Sequence, residues 1–195
     1  MANEESRKYE ERILKAGAFS KERTQKLPYH NFRHEREVLR AAENLAQMIH
    51  LDYVQSALVR TAAILHDVIV VPGRKDNEEK SVELIQVPLL EIGYSQSDVN
   101  VIGSLIMATK MPQQPKNLLE CIICDADLDS LGRPDFLYWG EKLRSELGIP
   151  KNRSWYEAQL IFIDNHSYHT KAARKLRDNG KRKNIEKLKK ILEKI

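Results

Sequence analysis

Apolar residues recur along this chain at helical spacing, and sustained alternation of period two is absent. Glu4 to Ala18 is polar with scattered apolar positions and predicts a first helix. Leu27-Pro28-Tyr29-His30-Asn31 interrupts it. Pro28 disfavours helix in the residue before it, and Asn31 suits the cap of the next one. From Phe32 to Ile49, Val38, Leu39, Ala42, Leu45, Ala46 and Ile49 form one face. From Tyr53 to Val70, Ala57, Leu58, Thr61, Ile64, Leu65 and Val68 do the same, and Pro72-Gly73 ends that segment. Asp76 or Asn77 can cap a helix from Glu78 to about Ile92. Asp98 to Met107 and Leu118 to Ser130 predict two more, joined by a loop holding Pro112 and Pro115. Phe136 to Leu147 is stopped by Gly148 and Pro150. Ser154 to Lys175 reads as one long helix, with Gly180 separating it from a tail helix. The β-like run Val68-Ile69-Val70-Val71 is too isolated to build a sheet. The pattern therefore predicts an all-α fold.

Composition narrows this picture. A length of 195 residues fits one domain spanning residues 1–195. With 42% apolar and 31% charged residues, the balance is that of a soluble globular protein. No run of 18 apolar residues exists to cross a membrane, and residues 1–12 lack the apolar stretch of a secretory signal. Two cysteines make no disulfide framework, so a cytoplasmic protein with reduced thiols is expected. The charge is uneven. The net is +4, yet residues 171–195 alone carry 11 Lys or Arg against Asp178, Glu186 and Glu193, leaving the first 170 residues at −4. This basic C-terminal extension also carries Ile185, Leu188, Ile191, Leu192 and Ile195 at helical spacing. It reads first as a solvated helix, with nucleic acid as the weaker alternative, because no aromatic residue interleaves the charges.

Acids in apolar helices carry the chemistry. His66-Asp67 ends the apolar segment Ala57 to Leu65, and Asp125-Ala126-Asp127 follows Cys121-Ile122-Ile123-Cys124. A buried carboxylate needs compensation, and a metal ion would supply it. Adjacent helical residues splay by about 100°, so His66 and Asp67 can share an ion only in the wedge between them. The other ligands must come from other helices. His34 lies on the preceding helix. One site joining His34, His66, Asp67 and Asp125 or Asp127 accounts for all these anomalies. Two imidazoles with two carboxylates suit one divalent ion: Mn, Fe, Co, Ni, Zn or Mg. Cys121 and Cys124 read as buried thiols rather than half a zinc knuckle. His166 and His169, flanking Tyr168, are a weak candidate for a second ion.

The order His34, His66-Asp67, Asp127 resembles the HD superfamily of metal-dependent phosphohydrolases. Tyr29-His30-Asn31-Phe32-Arg33-His34 resembles the Tyr-His-Asn-x-x-His entrance of one subgroup, the predicted HD-type phosphohydrolases without an assigned substrate. Asp76-Asn77-Glu78-Glu79-Lys80-Ser81, Ala108-Thr109-Lys110, Asp125 to Gly132 and Tyr168-His169-Thr170 fit the same subgroup. The resemblance runs from Tyr29 to Thr170. It implies a helical bundle with one tightly held metal. Ala126-Asp127-Leu128 resembles the Ala-Asp-Leu of cyclic-nucleotide phosphodiesterases, which favours Asp127 over Asp125 as the last ligand.

The departures also inform. No histidine lies between His66 and His166, so the multi-histidine, two-metal members are not matched. Valines follow Asp67 where guanosine-tetraphosphate hydrolases carry a Glu-Asp pair and deoxynucleoside monophosphatases carry a Glu. Val70 and Met111-Pro112 replace a Tyr and a His common in the subgroup.

The activity implied is hydrolysis of a phosphate ester of a small molecule, a nucleotide first among them. A divalent ion lowers the pKa of its water from 15.7 towards roughly 7. Asp67 would ligate the metal and orient that water. The general acid is Glu78 or, second, His30. Lys110 and Arg33 are candidate phosphate clamps. Asn77 is a candidate substrate contact, with helix capping as the plain alternative. A different class of function remains open: a non-catalytic metal-containing protein that works through its basic tail.

Overall fold

The structure, a computed structural model, describes residues 4–195. Among the described residues the chain is helical throughout, with no strand. The helices are α1 (Glu4–Arg23), α2 (Phe32–Ile49), α3 (Tyr53–Leu65), α4 (Asn77–Ile92), α5 (Gln96–Ala108), α6 (Leu118–Asp127), α7 (Phe136–Glu146), α8 (Arg153–Asn165) and α9 (Lys171–Leu192). A 3-10 turn, Asp129–Gly132, joins α6 to α7. No described helix is long and apolar enough to cross a membrane.

Helix α3 is apolar on every side, so it takes the centre. Its residues from Ala57 to Leu65, Arg60 excepted, are buried. Helices α1, α2, α5 and α6 pack around it. Asn31 caps α2, its side chain accepting from the Arg33 and His34 backbone N–H groups at 2.9 and 3.3 Å. One residue on, Glu35 is buried and accepts from the Ser20 and Thr24 hydroxyls, which fastens the end of α1 to α2. A second apolar cluster of Leu131, Phe136, Ile163, Ile185 and Leu188 joins the 3-10 turn, α7, α8 and α9.

Four boundaries differ from the pattern-based expectation by three residues or more. The first helix runs past Ala18 to Arg23. Helix α3 stops at Leu65 rather than Val70. The chain then turns, and side chains from α4 replace its helical bonds. The Ser81 hydroxyl accepts from Ile69 N–H at 3.1 Å, and Asn77 pairs with the N–H and carbonyl of Val71 at 3.0 and 3.2 Å. Helix α6 ends at Asp127, not Ser130, and tightens into the 3-10 turn.

The expected long helix from Ser154 breaks at 166–170, not at Gly180. Asp125 causes the break. Its carboxylate accepts the His169 and Thr170 backbone N–H groups at 2.7 and 2.8 Å, and the Thr170 side chain caps α9. Gly180 lies inside α9, where a Cβ would collide with the Gly132 carbonyl. This glycine serves close approach rather than a break. The contact is reinforced by Arg177 on Asp129 and by Asn184 donating to the Leu131 and Arg133 carbonyls. The basic helix thus packs against the turn that follows Asp127.

Candidate metal centre

Three helix ends converge. His34 enters from the capped first turn of α2, His66 and Asp67 from the end of α3, and Asp127 from the end of α6. The His66 ring Nδ1 lies 2.9 Å from the Ala63 carbonyl. A carbonyl can only accept, so Nδ1 carries a proton and Nε2 is the nitrogen left to face the carboxylates. That Nε2 lies 3.0 Å from Asp67 Oδ2 and 3.4 Å from Asp127 Oδ1. His34 Nε2 lies 3.5 and 3.6 Å from the same two oxygens. Both Nε2 atoms are buried and make no hydrogen bond.

These contacts set the electrostatics. Two ring nitrogens and two carboxylate oxygens face one another with nothing positive between them except a proton or an ion. Burial works against charge on His66, but Asp67 and Asp127 outweigh it and hold the imidazole well above its ordinary pKa. Asp67 is held below the usual carboxylate range, because His66 and His30 overcome the effect of burial. The site asks for a cation. Ligand atoms about 2.1 Å from a metal are separated by about 3.0–3.4 Å in octahedral or tetrahedral arrangement. The His66 spacings of 3.0 and 3.4 Å fall in that range, and the His34 spacings of 3.5 and 3.6 Å lie just beyond it. One donor atom each from His34, His66 and Asp127 lies within 4.8 Å of the others. The donor set of nitrogens and oxygens therefore fits a divalent ion.

Asp125 is excluded from this cluster by its two backbone N–H partners. Asp127 is the acid that meets both imidazoles. Its other oxygen, Oδ2, accepts from Gln113 Nε2 at 3.1 Å, which aims Oδ1 at the histidines.

His30 stands beside the cluster, its Nε2 4.0 Å from Asp67 Oδ2. Its Nδ1 pairs with the Glu146 carboxylate, and the other Glu146 oxygen accepts Tyr29 and His30 backbone N–H groups at 2.8 and 2.9 Å. Burial opposes charge on His30, but Asp67 and then Glu146 raise its pKa above the ordinary value. The sequence reading did not include Glu146. Nothing local marks it, since it is one acid on an amphipathic helix 116 residues from its partner. Tyr29 packs its ring on His30, His34 and Trp139 at 4.7, 4.8 and 5.6 Å.

The remaining candidates are placed differently. Glu78 is half-buried at the start of α4, and burial, then Asp67, raises its carboxyl above the ordinary value. Asn77 holds the Val71 backbone, as described above. Lys110 pairs with Glu79, and Arg33 pairs with Glu37 at 3.1 Å while lying over the Trp139 ring. Cys124 is buried with its thiol on the Ala108 carbonyl.

No family profile and no curated protein matches the chain. Solved structures do. The chain is similar to Bacillus subtilis YpgQ in complex with ADP, with a TM-score of 0.73 and 17% identity over 96% of this chain and 97% of that one. It is also similar to LmjPDEB1 in complex with IBMX, with a TM-score of 0.58 and 15% identity over 90% of this chain and 78% of that one. At these identities the likeness is one of fold.

Proposed function

We propose that this chain is a metal-dependent phosphoric ester hydrolase of the HD type, acting on a phosphorylated small molecule. The observation that carries the reading is the convergence of the buried, unpartnered Nε2 atoms of His34 and His66 on the carboxylates of Asp67 and Asp127. The ADP and IBMX in the two similar structures support nucleotides as the first substrates to test.

His34, His66, Asp67 and Asp127 would hold the ion. Bound there, an ion would supply charge to polarise a phosphoryl oxygen and would lower the pKa of a water towards neutral. Asp67 orients the attacking water. His30 is the better placed general acid, because Glu146 keeps its Nδ1 proton engaged and turns Nε2 towards Asp67. The Nε2 proton passes to the ester oxygen as the P–O bond breaks, and water completes the phosphate. Glu78, the first candidate by sequence, takes second place. Asn77, Lys110 and Arg33 would need new partners to touch a substrate.

The test pairs metal analysis of the purified protein with chromatographic detection of the hydrolysis products of nucleoside mono-, di- and triphosphates and cyclic nucleotides. Mn, Mg, Co, Ni and Zn are added in turn. About one ion per chain, with hydrolysis lost in Asp67→Ala and His66→Ala, is the expected result. An ion without hydrolysis of any ester would overturn the hydrolase reading. No ion after reconstitution would overturn the site.

A further inference from the structure

Next to the metal centre lies a cleft of two chambers. The inner one, about 290 Å³, is bounded by His30 and Asp127 together with Leu131, Phe136, Trp139 and Leu143. The outer one, about 720 Å³, is bounded by Pro112, Ala158, Ile161 and His166. Met111, Leu128 and Phe162 line both, so the two chambers adjoin. Met111, Ile161 and Phe162 are 53%, 63% and 37% exposed. An apolar surface of this kind, opening on a polar centre, marks a binding site rather than an accident of packing.

Its charge is as informative as its shape. No lysine or arginine is among the residues lining either chamber. The cations that the sequence offers for phosphate are engaged elsewhere: Arg33 with Glu37 and Lys110 with Glu79. Arg133 is held between Glu37 and Asp135. His166 adds no charge at neutral pH, since burial, then Lys181, pushes it down to about 4. One phosphoryl group can be met by the ion and His30. Each further phosphate would enter an apolar cleft beside Asp127 with no partner, which is unfavourable.

We infer that the preferred substrate carries a single phosphoryl group on a bulky, uncharged, largely apolar alcohol or phenol, whose apolar body fills the cleft bounded by Met111, Leu128 and Phe162. The inference rests on the hydrolase reading for its chemistry but on the cleft for its selectivity. A polar alcohol would gain less from these mostly apolar walls, where Ser130, Gln159, Gln113 and Asn165 are among the polar groups, and a nucleoside di- or triphosphate would meet no lysine or arginine in them.

Three esters separate the alternatives in the metal-loaded full chain: 1-naphthyl phosphate, glycerol 3-phosphate and ATP. The aryl oxygen is also the better leaving group, so the cleft is read from binding: 1-naphthyl phosphate is expected to bind at least about 30-fold more tightly than glycerol 3-phosphate, from burial of the naphthyl surface, and to be the better substrate. ATP is expected to be a poorer substrate than 1-naphthyl phosphate. Ala158 is exposed on α8 and lines the outer chamber, so Ala158→Phe fills the cleft without touching the core. It should cut the naphthyl-to-glycerol affinity ratio about tenfold. Calorimetric binding of 1-naphthyl phosphate and glycerol 3-phosphate to the wild-type chain and to Ala158→Phe is read in parallel. Equal affinity for the two monoesters, or preference for ATP, would overturn the inference and leave the hydrolase reading standing. Absence of any turnover would overturn the hydrolase reading alone. The cleft assignment would then stand or fall on whether naphthyl phosphate binds more tightly than glycerol phosphate and loses that advantage in Ala158→Phe.

Discussion

His30 and Glu146 meet across 116 residues of sequence, and one carboxylate takes the ring Nδ1 and two successive backbone N–H groups. The side chain and the main chain of His30 are thus held by the same group. This fixes where its Nε2 points, and that direction is towards Asp67.

Removing the Glu146 charge should therefore act through His30. Glu146→Gln keeps the shape but lowers the His30 pKa, since Glu146 is one of the groups raising it. A general acid must be protonated, so the alkaline limb of kcat/KM against pH should move to lower pH. His30→Asn should lower kcat by about 10²–10⁴-fold, and Glu146→Gln by less. A pH–rate profile of Glu146→Gln that superposes on the wild type would show that the pair is structural only.

Asp125 and Asp127 should separate cleanly. Asp127→Asn is expected to lose metal, because its carboxylate faces both imidazoles. Asp125→Asn should keep metal and lose about 1.5–3 kcal/mol of stability, the range for hydrogen bonds to a charged group. Metal content and urea unfolding of the two variants decide this. Metal loss in Asp125→Asn with retention in Asp127→Asn would reverse the assignment.

Chelation should lower the melting temperature. Metal at about 100 times its Kd stabilises the folded chain by roughly 2.7 kcal/mol. For a chain of this size that corresponds to about 5–10 °C. Differential scanning calorimetry with and without chelator reads the shift, and His34→Ala should abolish it.

His166 should make the fold sensitive to acid. Its folded pKa is pushed down to about 4, first by burial and then by Lys181. Its two ring nitrogens are buried without partners. The unfolded imidazole takes up a proton near its ordinary value of about 6.5, which the folded one refuses. The contribution is therefore intact above about pH 6.5 and is lost as pH falls towards 4. It is on the order of 2–3 kcal/mol. In His166→Gln the fall in stability over that window should flatten, as measured by urea unfolding at pH 7, 5.5 and 4.5.

Gly180→Ala should destabilise, against the ordinary helix preference. Alanine in a helix interior normally gains about 1 kcal/mol over glycine. Here its Cβ would strike the Gly132 carbonyl. Forcing the two segments apart should cost about 1–3 kcal/mol net. Because Gly132 ends the turn after Asp127, metal affinity should weaken as well. A more stable Gly180→Ala variant would contradict the close contact.

Much of the fold was legible in the residues. The period of apolar positions located the helices, because each must bury one stripe. Asn31, the apolar run of α3 and the acids at helix ends were visible as local anomalies. His34, His66, Asp67 and either Asp125 or Asp127 could be grouped because acids in apolar helices need compensation, and the family resemblance favoured Asp127. The helices and the types of donor available can therefore be read from the order of residues. Partnership was decided by the tertiary structure alone. Asp125 and Asp127 are two residues apart with similar neighbours, yet one ties α6 to the start of α9 and the other faces two histidines. Gly180 looked like a break and is a contact. Glu146 carries no local mark and holds His30. Lys110 and Arg33 looked like phosphate clamps and are paired with glutamates. Local propensity depends on near neighbours along the chain. Which charge meets which depends on the packing of helices far apart in sequence, and no local pattern records it.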